Sequence, residues 1–173
     1  MKQKLGFLVV AMLAVFCVAF SAAEAATVQK AKLDKTKLVG SWTLVSISNT
    51  SPDGNTRQTF GQGDGIMIFG ANGTFVQVVA RGDLPKIASN NRTTATADEN
   101  KAVVLGSLSL FGTYKLDPKT GALTLHVLRS SYPNWNNGDQ MRTITSLTAG
   151  EMKWDVIAPS VGGSSAAVWK RAK

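Results

Sequence analysis

The chain has 173 residues, with 19 Lys and Arg against 11 Asp and Glu, one cysteine and one histidine. So few thiols and imidazoles exclude an internal disulfide and a tetrahedral zinc site built from His and Cys, and no metal or other cofactor is expected. A formal charge of +8 admits an anionic partner, but the basic residues are dispersed except near the two chain ends, and nucleic acid is not expected.

Met1-Lys2-Gln3-Lys4 is basic, Leu5 to Phe20 is apolar, and Ser21-Ala22-Ala23-Glu24-Ala25-Ala26 is made mostly of small residues. Those are the three parts of a secretory signal peptide. The apolar run spans 16 residues, short of the roughly 20 that cross a bilayer. A removable signal over residues 1–25 is therefore expected rather than a membrane anchor, with cleavage after Ala25 or Ala26. Cys17 sits inside the run between Phe16 and Val18, without the setting of a lipoprotein site, and would leave with it. The expectation is a periplasmic or secreted protein with no stable membrane insertion after cleavage. Loss of Lys2, Lys4 and Glu24 with the signal leaves 148 residues at a formal charge of +7. A domain of that size buries about 68–70% of its unfolded surface, enough for one core.

Residues 26–37 are polar and Lys-rich and read as a leader; the domain is expected over 38–173. Leu38 to Ser48 is rich in β-branched and aromatic residues and predicts a first strand. Asn49 to Gly65 predicts a loop, with Pro52-Asp53-Gly54 and then Gly61, Gly63 and Gly65. Ile66–Phe69 and Thr74–Ala80 predict two strands joined at Ala71-Asn72-Gly73, because Asn-Gly accepts positive φ in a hairpin. Arg81 to Ala95 is polar and irregular. Thr96-Ala97-Asp98-Glu99 fits a capping box and predicts a short helix through Leu108. Strands follow at Phe111–Leu116, Leu123–Arg129, Met141–Leu147, Glu151–Ile157 and Ala166–Arg171. Between them lie turns at Asp117–Gly121 and Thr148–Gly150 and loops at Pro133–Gly138 and Ala158–Ser164. About eight short strands in hairpin order predict a mainly β fold: one antiparallel up-and-down barrel, or a sandwich, with one short helical insertion.

No catalytic set stands out. His126 could serve a Ser-His-Asp arrangement, but no Gly-x-Ser-x-Gly elbow is present. Gly61-Gln62-Gly63-Asp64-Gly65 lacks the Gly-Lys-Ser/Thr of a phosphate loop and reads as a flexible connection. Asp53-Gly54-Asn55 lacks the rest of a calcium loop.

Gly40-Ser41-Trp42 opens the first strand and Trp169-Lys170-Arg171 closes the last. In an up-and-down barrel these strands are neighbours, so the Arg171 guanidinium can stack on the Trp42 indole, a contact of about 0.5–2 kcal/mol. Gly40 leaves room for the approach. These three residues are assigned to structure. The pair of motifs resembles the lipocalin signature. Leu38 to Ser46, Phe111-Gly112-Thr113-Tyr114 with Asp117, Tyr132-Pro133-Asn134-Trp135, Gln140-Met141-Arg142 and Val168 to Ala172 are similar, in that order, to segments of the bacterial lipocalin-like domain family. The resemblance covers residues 38–172 and implies a lipocalin-like β-barrel. It implies no single activity, and the insertion around Asn90-Asn91-Arg92 is more polar than the resemblance leads one to expect.

A small closed barrel can hold one small ligand in a mostly apolar interior. The first reading is therefore an exported protein that binds or carries a small hydrophobic molecule. Tyr114, His126, Tyr132, Trp135 and Arg142 are the candidate ligand-binding residues. Trp135 is either a cap on the core or a lid on a ligand. Arg142 is either a buried counter-ion for an acidic ligand group or an exposed strand charge. The alternative reading is a small-molecule isomerase or cyclase with His126 as acid or base, assisted by Tyr114 or Tyr132. A third is an envelope protein acting through its basic surface.

Overall fold

Alternation of apolar and polar residues along the strands shapes this molecule. In the computed structural model, which describes residues 32–60 and 63–173, nine strands form one antiparallel sheet. They are β1 (Gly40–Thr50), β2 (Thr56–Gln58), β3 (Asp64–Phe69), β4 (Thr74–Ala80), β5 (Ser107–Leu116), β6 (Ala122–Ser130), β7 (Gly138–Leu147), β8 (Glu151–Val156) and β9 (Ser164–Arg171). One helix, α1 (Ala97–Gly106), precedes β5. The expected signal peptide lies outside the described residues, as do most of the polar leader and Gly61-Gln62.

β1 pairs with β3, each later strand pairs with the next, and β9 returns to pair with β1. Eight strands thus close into a barrel, and closure leaves no exposed edge along its wall. β2 is a short flap on the end of β1, paired only from Ser48↔Gln58 to Thr50↔Thr56. It lies in the stretch expected to be loop, and its three residues are all exposed. Pairing with an existing strand makes it a strand, for its own sequence has no apolar alternation.

The inward face of the barrel carries the core. Phe75, Gln77 and Val79 alternate with outward Val76 and Val78 on β4, and Leu123, Leu125 and Val127 alternate on β6. α1 begins where the capping box places it. The Thr96 hydroxyl accepts from the Glu99 amide, and the Glu99 carboxylate accepts from the Thr96 amide. The helix stops at Gly106, two residues earlier than expected, because Ser107 and Leu108 pair with Ala80 and Val79 of β4. Sheet pairing overrides the local preference there.

One end of the barrel is sealed. Trp42 is fully buried and donates from its indole nitrogen to the Leu38 carbonyl at 2.9 Å. The Arg171 guanidinium lies 3.8 Å from the centre of the Trp42 ring. It donates to the carbonyls of Val39 (2.8 Å), Ala149 (3.2 Å) and Lys37. Gly40 sits at φ +122°, and a Cβ there would stand 2.6 Å from the Arg171 guanidinium. A 3₁₀ turn, Lys35–Lys37, in which the Asp34 carboxylate accepts from the Thr36 amide, lies across this end.

Candidate functional site

The opposite end is open. There the chain leaves the barrel through β2, the 81–96 insertion, α1, a 3₁₀ turn at Pro133–Trp135 and the 157–163 loop. Of these, α1, the Pro133–Trp135 turn and the 157–163 loop border a cavity of about 310 Å³, at the lower end of the range for small-molecule pockets. Its floor is Trp154, packed at 5.4 Å against Trp169 beneath. Ile47, Phe60, Leu108 and Val156 form much of the wall. Val104 and Leu105 of α1, Tyr132, Trp135 and Val161 form the rim. Tyr132 and Trp135 meet edge to face at 5.5 Å.

Besides four serines, three polar side chains interrupt this apolar lining: Arg142, Gln77 and Thr59. Arg142 is the fifth residue of β7, and alternation turns it inward with Ile144, leaving it 7% exposed. One of its N–H groups donates to the Met141 carbonyl at 2.9 Å. Among the described residues it has no carboxylate partner, and its guanidinium makes no other hydrogen bond. Burial alone pushes its pKa down to about 10, as it does for any cation taken out of water without a counter-charge. Gln77, turned inward between Phe75 and Val79, is 5% exposed, and its side-chain oxygen has no partner among the described residues. The buried hydroxyl of Thr59 has none either. Buried polar atoms are nearly always paired. Arg142, Gln77 and Thr59 thus bring a cation and two polar atoms without partners among the described residues to one cavity.

Of the five candidate ligand-binding residues, Tyr132, Trp135 and Arg142 come together here. Tyr114 and His126 do not. Tyr114 lies toward the sealed end, where its hydroxyl donates to the Gly70 carbonyl at 2.9 Å and its ring meets Phe69 edge to face at 4.9 Å. Burial raises the pKa of that phenol. His126 is exposed on the outer face of β6, where its Nδ1 lies 2.7 Å from Asp139 of β7. Alternation explains this: Leu125 and Val127 take the inward positions on either side, so the imidazole points away from the cavity. The acid–base reading therefore has no imidazole inside the barrel. Thr59, Gln77 and the α1 rim were not among the candidates. For Gln77 a signal existed in the alternation of Thr74–Ala80, where a glutamine shares the inward phase with Phe75 and Val79. Thr59 carries no such signal, since its position depends on how the β1–β3 connection folds.

Similarity to other proteins follows the barrel. A redesigned beta barrel shares 16% identity over 80% of this chain and 94% of its own, at a TM-score of 0.42. A biogenic amine-binding protein, as its selenomethionine derivative, shares 12% over 83% of this chain and 69% of its own, at a TM-score of 0.46. No curated protein matches the chain. Residues 39–172 match the model of the lipocalin-like domain. The chain belongs to the lipocalin-like domain family.

Proposed function

We propose that this protein is an exported carrier, periplasmic or secreted, whose barrel mouth takes up a small, largely apolar molecule bearing an acidic group. Arg142 carries the reading. A buried guanidinium with one backbone acceptor leaves most of its five donors unused. A carboxylate can accept from two of them side by side, and such charge-assisted bonds are the strong ones. The Thr59 hydroxyl and the Gln77 amide stand in the same cavity to complete the polar end, while Trp154, Phe60 and Ile47 receive the apolar body. Export rests on the basic, apolar, small-residue order of residues 1–26.

The test compares three probes with one apolar body: a medium-chain fatty acid, its alcohol and its amine. Trp135 and Trp154 line the cavity, so quenching of tryptophan fluorescence reads binding. The acid is expected to bind best and the amine worst. Arg142→Met should weaken acid binding by at least tenfold, since breaking a desolvated charge pair costs about 2–5 kcal/mol, and should leave the alcohol almost unchanged. Equal affinity for acid and alcohol in the native protein would overturn the assignment of the acidic group. Native mass spectrometry of protein from its own host, showing a co-purifying acid, would identify the ligand.

A further inference from the structure

Charge is distributed unequally between the two ends of this barrel. The mouth half, with its loops and α1, carries seven basic residues (Arg57, Arg81, Lys86, Arg92, Lys101, Arg129, Arg142) and seven acidic ones. The sealed half carries nine basic residues among those described and only Asp34, Asp117 and Glu151 to balance them. Eight of the nine are lysines, and all eight are exposed. The ninth, Arg171, is held over Trp42.

Three stretches far apart in sequence are drawn together to make this end. The Leu33 amide donates to the Pro118 carbonyl at 2.8 Å, laying Lys32, Lys35 and Lys37 beside Lys115 and Lys119 of the β5–β6 hairpin. The Arg171 side chain binds the Lys37 and Val39 carbonyls, and the Ala172 amide donates to the Ser41 carbonyl at 2.9 Å. These contacts place Lys170 and Lys173 on the same rim. Of the eight lysines, only Lys153 has an ion-pair partner among the described residues, Glu151 at 3.1 Å. Asp34 and Asp117 cap their turns, and each also lies within electrostatic reach of one lysine, Lys37 and Lys119, without an ion pair.

We propose that the sealed end of the barrel is a docking face for an anionic lipid bilayer. Lys35 and Lys115 border one open hollow, but the eight ammonium groups as a set are spread around a rim on long, flexible stems. That arrangement suits a continuous plane of negative charge better than one phosphate held at fixed geometry. Each lysine near an anionic bilayer surface contributes about 1 kcal/mol, and salt screens the attraction. Docking by this end turns the cavity mouth away from the bilayer and leaves it open to the aqueous phase. The proposal stands apart from the acidic-ligand reading, because none of these lysines lines the mouth cavity.

Cosedimentation tests it, using protein purified from cells that express the full chain, with its N-terminus processed as the cell leaves it. The probes are phosphatidylcholine vesicles with and without 40 mol% phosphatidylglycerol, at low and at physiological salt. The native protein should pellet with the phosphatidylglycerol vesicles at low salt and lose most of that binding as salt rises. Substituting Lys35→Glu, Lys37→Glu, Lys119→Glu and Lys173→Glu together should lower the vesicle affinity at least tenfold. The matched mouth variant, Lys86→Glu with Arg92→Glu and Lys101→Glu, should change it less than twofold. Circular dichroism and fatty-acid binding report whether each variant is folded. Equal binding to uncharged vesicles, equal losses in the two variants, or no binding to either vesicle would overturn the proposal. Binding to soluble heparin with no binding to vesicles would overturn it in favour of a polyanionic polymer.

Discussion

Two arginines in this chain do opposite work. Arg171 has its charge satisfied: three backbone carbonyls accept from it and the Trp42 ring lies under it. A lysine there keeps the charge but loses the planar fork that reaches several carbonyls at once. Arg171→Lys is therefore expected to cost about 1–3 kcal/mol, read as a lower urea midpoint with an unchanged slope. Arg142 has its charge unsatisfied in the absence of ligand. Replacing a buried, unpaired charge by an apolar side chain of similar length removes a desolvation cost. Arg142→Met is thus expected to raise the stability of the ligand-free protein while it weakens acid binding. A substitution that strengthens the fold and harms the site marks a residue kept for binding. Binding should also follow the ionisation of the ligand, weakening as pH falls through the ligand's own carboxyl pKa near 4–5.

Caps and turns tie the connections to the wall. Glu99 holds the Thr96 amide at 2.7 Å with one oxygen and the Ala88 amide at 2.8 Å with the other, so it joins α1 to the insertion before it. Thr96→Ala removes the hydroxyl from this box and should cost about 0.5–2 kcal/mol. The loss should appear as faster amide exchange in α1, and because Val104 and Leu105 rim the cavity, as faster ligand release. Carboxylates in these turns share one electrostatic signature. The Thr36 hydroxyl at Asp34, the Ser51 hydroxyl at Asp53, the Lys119 amide at Asp117 and the Ala88 amide at Glu99 each hold a carboxyl below its usual range. A folded pKa below the unfolded value favours the ionised form in the native state. The stability it contributes is present above about pH 4 and is lost as pH falls through the folded values. The melting temperature should hold steady from pH 7 to 5 and decline below 4. These groups are exposed, so the decline should be gradual.

At the scale of the whole barrel, ligand and fold are linked by mass action. A molecule that binds only the closed barrel stabilises it by about 2.7 kcal/mol at one hundred times its Kd. For a domain of this size that raises the melting temperature by roughly 5–11 °C. A fatty acid should produce that shift in the native protein and, at the same concentration, no more than about half of it in Arg142→Met, which separates occupation of the cavity from detergent-like contact with the surface. An increase undiminished by the substitution would place the acid elsewhere.

The amino-acid sequence by itself determined the eight barrel strands, the Asn-Gly hairpin at Asn72-Gly73 and the capping box at Thr96 and Glu99. All are local patterns; that the Trp42 strand meets the Arg171 strand follows only once the sheet closes. Tertiary structure decided the site. Thr59, Gln77 and Arg142 come from a connection and two strands that sit side by side nowhere in the chain, and they share a cavity only because the sheet closes on itself. Closure also sent His126 outward and Tyr114 to the sealed end, since a side chain's face follows strand phase and its depth follows register. The lysine-rich end has the same origin. Its residues are dispersed in sequence and become one surface when antiparallel strands bring alternate turns to the same rim.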